Sequence, residues 1–265
     1  MRRYFNIFLL EFQVAFAIKS LSLVWFLSAL LGPLLMLAFW SSATASQGGS
    51  VLGWTFSNLA TYYLLIVLGG SLFLAHIEFG LARDINRGDT TIYLLKPRPF
   101  FLLMFLHEIP WRLIQGLFTI IAILGIAYFT RNIIQVTDSP IHLMLALLMI
   151  LLAYMMSFTF KMCVGLLAFW FTDASGIIQL DDFIVTICGG VIAPLIFIPL
   201  QFRLFLEVLP FAYILYYPAV ALLGKLNYET ELRVITVQLL WLIVFSILYR
   251  FFWRAGIKKF TAFGR

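Results

Sequence analysis

The sequence predicts an all-α, polytopic membrane protein, and three observations predict it. Apolar residues make up 63% of the 265 residues and charged residues 11%, against roughly a half and a quarter in soluble domains. Mean hydropathy is +1.02. Runs of 18 or more residues with almost no charge recur along the chain. They are too long and continuous for the alternating strands of a barrel, and in lipid every backbone polar group must be paired within the protein, so helices remain. The length leaves room for about six spans of roughly 20 residues with their connectors. No polar block is large enough for a soluble domain, so residues 1–265 read as one transmembrane domain.

Residues 2–19 precede the first span. Phe5, Phe8, Phe12 and Phe16 recur at helical spacing, with Arg2, Asn6 and Gln13 on the opposite face. That pattern predicts an amphipathic helix lying in the membrane interface. A cleaved signal peptide fits less well, because a whole amphipathic helix separates the charged start from the apolar run. The first span is expected over 21–40, kinked at Gly32 and Pro33, and a Ser, Gly and Thr loop leads to a second span over 56–77.

The connector from Glu78 to Phe100 reads EFGLARDINRGDTTIYLLKPRPF. Its basic residues alternate with Asp84 and Asp89, and two prolines close it. Its 80–96 part predicts a short cytoplasmic helix held against the membrane, where it can receive force from a soluble partner. The third apolar run, 100–129, would measure about 45 Å as one helix, so part of it must tilt, kink or leave the hydrocarbon. Pro110 is expected to divide it, placing His107, Glu108 and Arg112 near the inner interface.

A fourth run, 141–171, holds Lys161. Asp181 and Asp182 are expected to cap or flank the inner end of a fifth span over 183–200. The segment 201–233, broken by Arg203, Glu207, Pro210 and Pro218, reads as a re-entrant helical hairpin in the outer face, and a last span covers 234–252. Of the 18 basic residues, 14 fall on the side of both ends and the 78–100 connector. Only Arg131, Arg203, Lys225 and Arg233 fall on the other, which puts both termini in the cytoplasm. The net charge of +6 is therefore read as orientation and not as nucleic-acid binding. Cys163 and Cys188 lie in apolar runs, with no metal-ligand spacing and no disulfide framework.

No phosphate loop, H-E-x-x-H or G-x-S-x-G pattern occurs, so no catalytic or metal site is expected. Ionisable groups within apolar runs can mark a transport pathway. Lys161, Glu108 and Arg112 are the candidates. The simpler alternatives are that Lys161 snorkels to the inner interface and that Glu108 pairs with Arg112 one turn on.

Several stretches also carry a resemblance. Asp84-Ile85, Arg87-Gly88 and Leu94-Leu95-Lys96-Pro97 form D-I-x-R-G followed by L-L-K-P. Gly165 to Trp170 reads GLLAFW, Leu209 to Ala219 reads LPFAYILYYPA, and Trp253 to Gly264 reads WRAGIKKFTAFG. In these the chain resembles the six-span permease subunits of ABC-2-type ABC exporters, in the branch of small paired permeases. The resemblance implies a separate ABC ATPase that binds ATP and Mg, so that this chain holds no cofactor. It implies a second permease chain, identical or related, and export of a substrate across a prokaryotic plasma membrane, with lipid around the bundle. It also implies that Arg83, Asp84, Arg87, Gly88 and Asp89 form the ATPase-coupling surface. The aromatic content favours an amphipathic substrate. The alternative function is an ion-coupled secondary transporter dependent on Lys161 or Glu108.

Overall fold

The computed structural model describes residues 2–95, 97–129 and 134–260. Lys96, Arg131 and the end of the tail, 261–265 with Arg265, lie outside them, as do the side chains of Arg2 and Arg3. The described residues are helical apart from loops and one two-stranded hairpin, so the all-α expectation holds.

Helix α1 covers Arg2–Ala17 and lies along α6 (Phe100–Phe129). The residues it turns inward are Ile7, Phe8, Glu11, Phe12 and Ala15, whereas Phe5 and Phe16 are exposed. Helix α2, Lys19–Ser46, runs through Pro33 without a break. The hairpin of β1 (Ser50–Val51) and β2 (Trp54–Thr55) turns through Leu52 and Gly53, both at positive φ. Thr55 then caps α3, Phe56–Leu72, in a reciprocal box with Asn58 that satisfies two orphan helix-end groups. The helix ends five residues before the predicted span does.

The connector is two helices, α4 (Glu78–Arg87) and α5 (Thr90–Leu94). Gly88 separates them in the left-handed conformation, at φ 81°, which a residue with a Cβ reaches only with strain. A single helix over 80–96 is thus corrected to a helix, a glycine stop and one further turn. Pro110 lies inside α6 without dividing it.

Helix α7 spans Pro140–Leu166, with Pro140 at its first position, where the missing N–H costs nothing. Helix α8 is Ser175–Cys188. This corrects the fifth predicted span, since no helix covers 183–200. The chain turns at Gly189 and Gly190, and Pro194 and Pro199 interrupt the stretch beyond them. Asp181 and Asp182 accordingly sit within α8 and not at its end.

Helix α9, Leu200–Val208, meets the segment Phe211–Leu222 at a bend of 78°. That segment ends in α10, Tyr216–Leu222. Helix α11, Tyr228–Lys259, completes the fold, and its contact with α7 is the most extensive between any two helices. The two run parallel. Glu231 reaches His142 at their starts, and Trp170 meets Phe252 at their ends.

Four segments are long and apolar enough to cross a membrane: Lys19–Ser46, Phe100–Tyr128, Pro140–Phe169 and Tyr228–Lys259. The bent pair of Leu200–Val208 and Phe211–Leu222 would make a fifth. One end of the bundle gathers α1, α4, the start of α6 and the ends of α7 and α11. The other gathers the β-hairpin, α9, α10 and the start of α11.

Candidate functional site

The three candidate pathway residues gather at and just after the four-residue hinge Leu74–Ile77 between α3 and α4: Glu108 and Arg112 bind the hinge, and Lys161 binds Glu78, the residue that follows it. Three backbone groups of the hinge are bound by side chains from α6 or α7. Arg112 Nη1 donates to the Leu74 carbonyl at 3.3 Å. The Ala75 N–H donates to Ser157 Oγ at 2.9 Å. The His76 N–H donates to Glu108 Oε1 at 2.8 Å. Arg112 Nη1 also lies 3.0 Å from His76 Nδ1. Glu108 and Arg112 themselves form the i, i+4 pair expected of them, 2.9 Å apart and almost wholly buried. Buried charges persist only when paired, and here the pair also satisfies main-chain groups that would otherwise be stranded.

Just after the hinge, the first residue of α4 enters a second buried cluster. Lys161 Nζ, on α7, donates to Glu78 Oε1 at 2.9 Å and to Asp182 Oδ1 at 2.7 Å. It lies 2.7 Å from Asp181 Oδ2 in an ion contact. Its side chain has no solvent exposure, while that of Asp182 is 48% exposed. The snorkelling alternative is therefore corrected. A lysine that found water would not need three carboxylates, and this one is turned into the protein by them.

Oxygens of Glu78, Asp181 and Asp182 lie close enough together to hold a metal ion, but the lysine ammonium already lies within hydrogen-bond range of one oxygen of each. One ammonium against three carboxylates leaves negative charge in excess. Burial pushes the Glu78 carboxyl up to about 7, against the opposing pull of Lys161. Glu78 Oε2 and Asp181 Oδ1 are buried without a hydrogen-bond partner, so a proton on one of these carboxyls relieves both the charge excess and the burial cost.

Packing presses α4 onto this cluster. Leu81, Ala82 and Ile85 form its buried face. Gly165 of α7 admits it closely, since a Cβ there would stand 3.1 Å from the Glu78 backbone and 2.9 Å from Leu81 Cδ2. The opposite face of α4 carries Phe79, Arg83, Asn86 and Arg87, all exposed. Arg83 and Asp84 approach no closer than 3.9 Å, and Asp89 is exposed just past Gly88. Asn86 Nδ2 donates to the Thr172 carbonyl at 2.9 Å. The result is a short amphipathic helix with a free charged face, its base tied to α6, α7 and α8.

With this arrangement in view, the matching family is informative. The family model described as "ABC-2 family transporter protein" matches residues 30–264. The chain belongs to that family. As an ABC-2 family protein it is a multi-pass membrane transporter component, and the family implies partnership with an ABC ATPase. No curated protein matches the chain. The match begins within α2, so α1 lies outside the matched residues.

Sequence reasoning places Lys161, Glu108 and Arg112 near the inner end of the bundle but does not assign them the hinge. It misses Ser157 as a partner of the hinge backbone, and Glu78, Asp181 and Asp182 as partners of Lys161. A lone charge in an apolar run says that a partner exists without saying where.

Proposed function

We propose that this chain is the membrane subunit of an ATP-binding-cassette exporter, with α4 as the lever through which a separate ATPase moves the bundle. The observation that carries this reading is the hinge: a charged, outward-facing helix whose base is held by buried side chains from three other helices. Force applied to Arg83, Asp84, Arg87, Gly88 and Asp89 would reach α7 through Glu78 and Lys161, and α6 through the hinge backbone. A rigid linkage of this kind passes a displacement on instead of absorbing it.

In this reading residues 1–265 work as one permease domain with six crossings. The four long helices are joined by α3 and by α8 with the residues just beyond it. Segment 201–233 is re-entrant on the outer face, and the basic end is cytoplasmic in a prokaryotic inner membrane. A second permease chain completes the passage, and ATP and Mg reside on the ATPase. This chain hydrolyses nothing and binds no cofactor. The cargo is amphipathic.

The experiment is a double charge reversal, Arg83→Glu with Arg87→Glu, in the complex reconstituted with its ATPase. Insertion and thermal stability are expected to be unchanged, while cargo-stimulated ATP hydrolysis and efflux fall to background. Full efflux in that variant would exclude the lever.

A further inference from the structure

At the opposite end of α11 from the lever lies a groove of about 490 Å³, within the size range of small-ligand sites. Three of the few basic residues assigned to this end, Arg203, Lys225 and Arg233, line it, and no carboxylate does. Their sources are unrelated in sequence: α9, the turn after α10, and the first turns of α11. Arg203 is held by Glu207 at 2.7 Å through Nε, which leaves its remaining guanidinium N–H groups to donate elsewhere. Among the described residues, Lys225 and Arg233 form no ion pair. Lys225 Nζ sits 5.0 Å from the Trp54 ring centroid and 3.5 Å from the Gly53 carbonyl. Partial burial lowers the Lys225 amine below its ordinary range. Neither acid of the first turn of α11 lines the groove. Glu231 is buried against His142 at 2.7 Å, and Glu229 is outside the lining.

The rest of the lining is mostly apolar and aromatic, with Trp54, Tyr216, Tyr217 and Val220, and adds the polar Asn227 and Thr230. Leu52 belongs to the lining, 70% exposed and at φ 48°. A leucine with positive φ is strained and an exposed one gains nothing from burial, so the structure keeps an apolar side chain there at a double cost. Three cations and exposed apolar side chains in one lining match a ligand with both characters.

We propose that this groove binds an anionic amphiphile, its phosphate or carboxylate headgroup on Arg203, Lys225 and Arg233 and its apolar part against Leu52, Tyr217 and Val220. The site is independent of the transport reading and exists whether or not the chain moves cargo.

The test uses purified full-length protein in neutral detergent, titrated with dioctanoyl phosphatidylglycerol, dioctanoyl phosphatidylcholine and glycerol phosphate, with bound ligand counted by native mass spectrometry. The anionic lipid should bind at least tenfold more tightly than the zwitterionic one, and glycerol phosphate should bind weakly, because it lacks the apolar part. Lys225→Glu with Arg233→Glu should lose that tenfold preference. The same charge change at the far end, Arg83→Glu with Arg87→Glu, should keep it. Leu52→Asn suits the positive φ, so it should fold at least as well while weakening the lipid several-fold. Equal binding of the two lipids, or a preference surviving in the Lys225 and Arg233 variant, overturns the headgroup assignment. Glycerol phosphate binding as tightly as the lipid, or unchanged affinity in Leu52→Asn, overturns the amphiphile.

Discussion

The two ends of the bundle use charge in opposite ways. At the hinge, Lys161, Glu78, Asp181, Glu108 and Arg112 are all buried, and every cation has a carboxylate within 3 Å. At the far groove, Lys225 and Arg233 are exposed and Arg203 alone has a carboxylate partner. The difference is one of surroundings. Where water is excluded an unpaired charge is too costly to keep, so charges there must hold something: a backbone, another helix, or a proton. Where water reaches, a cation can stay unpaired and be available to a ligand. Buried charge reads here as mechanical linkage, and exposed, unpaired charge as recognition.

The largest expected effect is the removal of the central cation of the linkage. Lys161→Met leaves three carboxylates facing one another with no counter-ion, and losing one partner of a buried pair costs about 3–5 kcal/mol. A large drop in the thermal midpoint of the detergent-solubilised protein is expected. Adding Glu78→Gln and Asp181→Asn should return part of it, because the excess negative charge then disappears. A midpoint unmoved by Lys161→Met would break the comparison outright.

Next comes Arg112→Ala, which takes the buried counter-ion from Glu108 and removes one donor from the Leu74 carbonyl. Leaving one buried group unsatisfied costs about 1–3 kcal/mol. Hydrogen exchange should increase at Ala75 and His76 while the amides of α11 stay protected. Loss of protection spread evenly over the molecule would show that Arg112 supports the core and not the hinge.

A smaller effect is set by pH. The Glu78 carboxyl titrates near 7 in the folded protein and near its ordinary value of 4.5 when unfolded. Between those values the folded state holds a proton that the unfolded state has lost. This group's contribution to stability is therefore fully present below about 4.5 and is lost as the pH rises through 7. Thermal midpoints measured from pH 4.5 to 8 should carry that downward component, and Glu78→Gln should flatten it. A variant with the same slope as the wild type would place the titration elsewhere.

How much of this is legible in the sequence depends on the distance over which each signal acts. Long apolar runs announce themselves locally, and α2, α6, α7 and α11 fall where hydropathy puts them. The fifth span is not one helix over 183–200, which hydropathy misses because it does not register a glycine pair. The run 183–200 is apolar throughout, yet Gly189 and Gly190 end the helix, a signal the dipeptide itself offers. Gly88 is visible as a breaker, but the helical reading of 80–96 runs through it. Lys161 is visible as an anomaly, and its partners are not, since Glu78 lies 83 positions away. The far groove is hidden for the same reason. Arg203, Lys225 and Arg233 serve the sequence only as a count that sets orientation, and their convergence on Trp54 and Leu52 exists only once the chain is folded.

The smallest expected effect sharpens the comparison most. If the far cations are for recognition, the bundle does not need them. Lys225→Glu with Arg233→Glu should therefore leave stability within about 0.5 kcal/mol of the wild type, as for exposed positions with no structural partner. The same pair should change how the protein responds to salt. Exposed charges are screened over about 10 Å at 0.1 M, so raising ionic strength should weaken anionic-ligand binding in the wild type and barely affect the variant. The buried linkage should be indifferent to salt in both. Should the far pair instead prove as costly to reverse as Lys161 is to remove, those charges would be structural too, and exposure would no longer separate the two ends.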